Sequence, residues 1–242
     1  MDSRGLCAYA ITRAHMLDPA GPVDIRLVTH GGLALVVAEV ELAPFAALES
    51  LKWAPSEDDP LFMLARRHDV VVRAIFEHHP VLPLRFGTTV PDETAAVALL
   101  TEHHAEASAW LDRVRDHREW GVRARFTPPD RPAEVNPEDL SHTEYMAVRR
   151  DRLAAAARAR REGSEAASRL HEEVSRHATD IAALGRRASL LDNAYLVHRD
   201  AEADFHAATR NHEGIAVEVT GPWPPYSFVS LDVSAGAAAP AR

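Results

Sequence analysis

Cysteine is almost absent from this sequence. Cys7 stands alone, so no intrachain disulfide, no CxxC pair and no cysteine-based zinc site can form within one chain. Its apolar neighbours make it a small buried residue of a strand rather than a reactive thiol. Aromatic residues make up only 6% of the chain. No apolar run approaches the roughly 20 residues that a membrane-spanning helix needs, and the opening MDSRGLCAYA lacks the layout of a secretion signal, which predicts a cytoplasmic protein. Positive charge is also short, with 27 Lys and Arg against 36 Asp and Glu and a net of −9. That balance argues against a surface dedicated to nucleic acid or anionic lipid, while leaving room for a local basic patch. Glycine-rich phosphate loops of the GxGxxG and GxxxxGK[ST] types and the GxSxG nucleophile elbow are missing, which removes support for nucleotide cradling and for the usual serine hydrolase.

What is present is an ordinary globular composition: 242 residues, 46% apolar, enough for one large core or two small ones. The first third alternates sheet and helix signals. Leu6–Ala14, Ile25–Thr29 and Leu33–Glu41 read as strands, the last two joined by a turn at His30-Gly31-Gly32. Leu61, Leu64, Val71, Val72, Ile75 and Phe76 mark one face of a helix that stops before Pro80. PVLPLRFGTTV reads as a short strand. Pro91-Asp92-Glu93 opens a helix with its end near His117.

Glu119–Phe126 reads as a strand, followed by the surface loop TPPDRPAEVNP. From Glu138 to Leu184 the composition predicts helix, with Leu170, Val174, Ile181 and Leu184 at helical spacing and Gly163-Ser164 as the place where it breaks. Its middle, Ala154–Glu165, holds no apolar residue larger than alanine and is expected to face solvent. The run RRDRLAAAARARREGSE is then a solvated helix surface, or alternatively a partner-binding arm. Ala188–Val197 reads as a strand, Ala201–Asn211 as a helix, Gly214–Thr220 as a strand, and SAGAAAPAR as a disordered tail.

Fourteen histidines invite a metal reading, but their spacing does not support one. His171-Glu172-Glu173 with His177 lacks the two histidines four apart that a helical zinc site uses. The adjacent pairs His78-His79 and His103-His104 cannot face one ligand from a regular helix. His68-Asp69 resembles the dipeptide of a metal-dependent hydrolase, yet convincing further ligands are not visible, and a hydrogen-bonded structural pair is the expected role. Arg85 in PLRFG suits an anion or, at least as often, a structural carboxylate. No catalytic, cofactor-binding or metal residue is assigned.

The most distinctive stretch is GPWPPYSFV at 221–229. Pro222, Pro224 and Pro225 each lack an N–H, so they cannot sit in the middle of a hydrogen-bonded ladder. After Gly221, the prolines pre-order an extended lead-in. Trp223 and Tyr226 are set to cover apolar surface, and Phe228 to enter the core as part of a strand.

This ending and VLPLRFGT at 81–88, with Pro83, Arg85, Phe86 and Gly87, resemble the two signature blocks of the GvpF/GvpL family of gas vesicle proteins. Weaker echoes are Tyr9, the helix of His68-Asp69, Glu119-Trp120 with Val122, EYM at 144–146 and NAYLV at 193–197, so the resemblance spans nearly the whole chain. It implies an α+β protein of two domains: a ferredoxin-like one over 1–117, and a modified ferredoxin-like one with long helices over 118–233, followed by the tail 234–242. It also implies a role without catalysis or cofactor, as an assembly factor or minor component that contacts the shell protein GvpA and other accessory proteins, in the cytoplasm and at the gas vesicle. Nucleic acid and membrane are not among the implied partners. The alternatives are a metal-dependent hydrolase built on His68 and Asp69, and a small-ligand sensor of ferredoxin-like fold.

Overall fold

The computed structural model describes residues 4–16, 24–46, 60–128, 141–185 and 189–231. The chain divides into two compact units, Met1–Asp116 with Trp223–Arg242, and His117–Pro222. Each is built on its own antiparallel sheet with helices, an α+β arrangement.

In the first unit, β1 (Arg4–Arg13) is buried from Gly5 to Thr12. Helices pack against it, which is why its sequence is a continuous apolar run rather than an alternating one. β2 (Arg26–His30) and β3 (Leu33–Glu41) form the expected hairpin. Its turn needs glycine, because Gly31 and Gly32 both have positive φ, 56° and 83°. β3 pairs with β1, giving the order β2-β3-β1. After the short α1 (Ala43–Ala46), α2 (Pro60–Phe76) lays Val71, Val72 and Ile75 on Cys7, Tyr9 and Val36.

The strand expected for PVLPLRFGTTV is two short ones, β4 (Leu82–Pro83) and β5 (Thr89–Val90), both antiparallel to β1. A turn separates them: the Thr88 N–H and hydroxyl donate to the Arg85 carbonyl at 3.1 and 2.7 Å. The helix opening at Pro91 is also two, α3 (Glu93–Glu102) and α4 (His104–Arg113), parted at His103. Asp92 caps α3 by accepting from the Ala95 N–H at 2.9 Å.

The second unit runs β6 (His117–Phe126), α5 (His142–Ser175), β7 (Asp180–Ala183), β8 (Leu191–His198), α6 (Glu202–Ala208) and β9 (Ile215–Trp223), whose last residue, Trp223, already belongs to the first unit. Its sheet order is β7-β8-β6-β9. Two expectations for the long helix are corrected. Gly163-Ser164 does not break it: α5 is one helix of 34 residues, because Gly163 is where it crosses Phe126, and a Cβ there would stand 2.9 Å from that ring. Nor does helix reach Leu184. Ile181 belongs to β7 and pairs with Tyr195 of β8.

The start of α5 is set by a capping box, in which the Glu144 N–H donates to Ser141 Oγ at 3.4 Å and the Glu144 carboxylate accepts from the Ser141 N–H at 2.9 Å. Gly163, Ala166, Ala167, Leu170 and Val174 are buried, whereas Ala154–Glu162 faces solvent apart from the half-buried Ala159. The loop TPPDRPAEVNP beyond Pro128, Ala188, and the tail 234–242 lie outside the described residues.

Candidate functional site

The central block 81–88 is fastened to β1 and to two helices. The Leu84 N–H donates to the Tyr9 carbonyl at 3.0 Å, and Trp110 Nε1 donates to the Val81 carbonyl at 3.2 Å. Pro83 is buried opposite Ala10. The turn at Arg85 to Thr88 brings Phe86 against Phe45 and His68, with ring centres 5.9 and 5.8 Å apart. Gly87 is half-buried in this turn. Arg85 itself is exposed, and the turn uses its carbonyl.

His68 is 3% exposed. Its Nε2 lies 3.0 Å from the Leu84 carbonyl, so that nitrogen carries the proton and donates, while Nδ1 is left with a lone pair that meets no donor among the described residues. The centre of the Tyr9 ring stands 5.3 Å from that of the imidazole. Burial holds the His68 pKa below the ordinary histidine value, partly opposed by the Leu84 carbonyl and then by Asp69. The neighbouring Asp69 is committed elsewhere, accepting from Arg73 Nε at 2.8 Å. The two side chains that a hydrolase reading would join on one metal therefore serve separate partners. Among the described residues no group of three His, Cys, Asp or Glu is placed to hold a metal ion.

The second block begins inside β9. Gly221 and Pro222 lie in this strand, joined by a cis bond, at the edge of its sheet, where a missing N–H removes no ladder bond from an interior position. Pro224 and Pro225 are buried. The strand expected around Phe228 is instead a single 3-10 turn, Tyr226–Phe228. The prolines cannot donate, but their carbonyls can accept: the Tyr226 N–H reaches Pro224 at 2.7 Å and the Phe228 N–H reaches Pro225 at 3.3 Å. That turn places Phe228 in the core at 8% exposure and leaves Tyr226 at 37%.

Arg73 places its guanidinium 3.9 Å from the centre of the Trp223 ring. One helix, α2, therefore holds both signature blocks, the central one through His68 and the C-terminal one through Arg73. Sequence reasoning missed Arg73 and Phe45. Arg73 was detectable through its i, i+4 spacing from Asp69.

In two of the other histidine clusters one ring is likewise engaged. His171 Nδ1 is 2.8 Å from the Tyr195 hydroxyl, and His104 Nε2 is 2.9 Å from the Gly31 carbonyl. Cys7 is buried on β1, with its thiol pushed up to about 12 by burial. No helix among the described residues is long and apolar enough to cross a membrane.

Residues 5–230 match the family described as gas vesicle synthesis protein GvpL/GvpF. The chain is 31% identical over 256 residues to gas vesicle protein L of Streptomyces sp. (strain CB03234), covering 92% of each. It is 30% identical over 232 residues to gas vesicle protein F of the same strain, covering 88% of this chain and 90% of the relative. Its fold is similar to the crystal structure of GvpF from Anabaena sp. PCC7120, with a TM-score of 0.65 at 17% identity over 95% of this chain and 97% of that one. GvpF from Microcystis aeruginosa gives a TM-score of 0.60 at 15% identity, covering 94% and 99%. With its two signature blocks built into the fold and nearly its whole length matched, the chain belongs to the GvpL/GvpF family of gas vesicle proteins.

Proposed function

We propose that this protein acts without catalysis as an assembly adaptor or minor component during gas vesicle formation, contacting the shell protein GvpA and other accessory proteins. The observation that carries this reading is the commitment of its chemically capable groups to packing. His68 and Asp69, the pair a hydrolase reading would use, are held by Leu84 and Arg73, which supports a reading in which the protein acts through its surfaces. Exposed apolar side chains on both units, Met63 and Val70 on α2 and Ile181 on β7, suit reversible protein contacts. The overall negative charge suits protein partners better than nucleic acid or a lipid surface, in the cytoplasm and at the vesicle.

The order β6-α5-β7-β8-α6-β9 with sheet order β7-β8-β6-β9 supports a ferredoxin-like reading of the second unit. The first unit has a related strand order, but among the described residues no α-helix lies between its first two strands. The functional reading is tested by affinity capture of the tagged chain co-expressed with each other product of a gas vesicle cluster. Capture of GvpA or of an accessory protein is expected. A folded chain that captures none of them would overturn the proposal.

A further inference from the structure

The first half of α5 has the opposite electrical character to the molecule that carries it. From Tyr145 to Arg161 there are six arginines and one acid, Asp151, in a chain whose net charge is −9. Nearly all of this stretch is exposed. Only Ala147, Val148 and Ala159 are half-buried, and Met146 and Leu153 stand 49% and 64% exposed.

Helical geometry organises these residues. At about 100° per residue, Met146, Leu153 and Ala157 fall within roughly 40° of one another and form a narrow apolar stripe. Arg149 and Arg160 run along one side of the stripe, and Arg150 and Arg161 along the other, each pair eleven residues apart. Asp151, Glu144 and Glu162 fall on the far side of the helix.

A helix made only to face solvent gains from acids and bases placed three or four apart, and like charges at that spacing are unfavourable. Here Arg149 and Arg152, and Arg158 and Arg161, are like charges at i, i+3. Arg150 pairs with its neighbour Asp151 at 3.5 Å, but this contact is three-quarters exposed on both sides and does little to offset them.

We infer that Met146 to Arg161 of α5 is a docking face for an acidic amphipathic helix of a partner protein, whose apolar seam lies on Met146, Leu153 and Ala157 and whose flanking carboxylates meet the arginine rows. The inference rests on the reading that this chain works through protein contacts, and it names the chemistry of one of them. The seven-residue step from Met146 to Leu153 is the spacing at which a facing helix repeats its contacts. A second copy does not fit by pairing the same face, since two arginine-lined helices would repel. Phosphate backbones would use the arginines but not the stripe between them.

The test uses the full chain and a fluorescein-labelled synthetic helical peptide with leucines along one seam and glutamates flanking it, followed by fluorescence anisotropy. Saturable binding is expected, weakening as salt is raised, with no binding by the same peptide carrying lysine for glutamate. Reversing Arg149, Arg150, Arg160 and Arg161 to Glu is expected to weaken binding by about tenfold or more, and Leu153→Asp to do likewise. Both variants should melt with the parent, because every substituted side chain is exposed.

Equal binding by the lysine peptide, unchanged binding by the charge-reversed variant, or no binding at low salt would overturn the inference. So would a parent dimer that the charge reversal dissolves, or tighter binding of a labelled oligonucleotide or of anionic vesicles than of the peptide. Capture of gas vesicle proteins that survives charge reversal, with no peptide binding, sinks this inference and leaves the adaptor reading intact. Peptide binding without any such capture does the converse.

Discussion

The guanidinium of Arg73 lies 3.9 Å from the centre of the Trp223 ring, five residues along α2 from the histidine that holds the Leu84 carbonyl. A stacked arginine contributes about 0.5–1 kcal/mol at a partly exposed site, and Arg73 is 40% exposed. Trp223→Ala should cost more than Arg73→Ala, since it also strips apolar contact. In a double-mutant cycle followed by urea unfolding, the two should couple by about 0.5–1 kcal/mol. Strict additivity would show that the stacking adds nothing to stability.

Phe228 is the anchor of the C-terminal block. Phe228→Ala is expected to destabilise the protein by about 3–5 kcal/mol, and Tyr226→Ala by much less, because Tyr226 is 37% exposed where Phe228 is 8%. Thermal melting alongside partner capture separates the two roles open to this segment. A Phe228→Ala variant that melts with the parent but captures nothing would make the block a binding element and not a clamp.

Stability should fall in mild acid through His68. Its folded-state pKa lies below the ordinary value of 6.5, chiefly because of burial, so the unfolded chain takes up its proton first as pH falls. The contribution is therefore complete above about pH 6.5 and is lost as pH drops from there toward the folded-state value. Urea midpoints measured across this range should decline for the parent and decline less steeply for His68→Gln, which keeps a donor for Leu84 without a proton to gain. Identical slopes would assign the acid sensitivity to other groups.

Gly163→Ala should destabilise, although alanine is favoured over glycine by about 1 kcal/mol inside a helix. The added Cβ would stand 2.9 Å from the Phe126 ring, and relieving that overlap typically costs about 1–3 kcal/mol. A variant that unfolds at higher urea than the parent would show that the ring moves aside freely.

The Cys7 thiol, raised to about 12 by burial, should not react with an aromatic disulfide reagent at pH 8 in the native state and should release one equivalent in denaturant. Native reactivity on the timescale of mixing would mean that β1 opens far more readily than its burial implies.

Much of the fold could be read from local pattern. The β2-β3 hairpin followed from Gly31-Gly32 between two apolar runs, and α2 from a stripe at helical spacing. The two signature blocks were found as sequence, but not what they touch. Ile181 and Leu184 were misread because they continue the helical spacing of Leu170 and Val174, and periodicity alone does not mark that the helix stops at Ser175. Pairing of Ile181 with Tyr195 decides the matter. Phe228 was expected inside correctly and in the wrong backbone form, since an aromatic after two prolines can be buried from a strand or from a 3-10 turn alike.

By itself the sequence determined which segments have an apolar side, where glycine and proline forbid regular pairing, and, through its ordered blocks, which family it belongs to. Those are properties of neighbours along the chain, where the period of apolar residues and the φ and N–H limits of glycine and proline act directly. Only the tertiary structure decided that α5 continues through Gly163, that His68 and Asp69 part to different partners, and that Arg73 meets Trp223 from 150 positions away in the chain. Each of these depends on a contact between distant residues, and such a contact overrides a local preference of about 1 kcal/mol whenever packing and desolvation outweigh it.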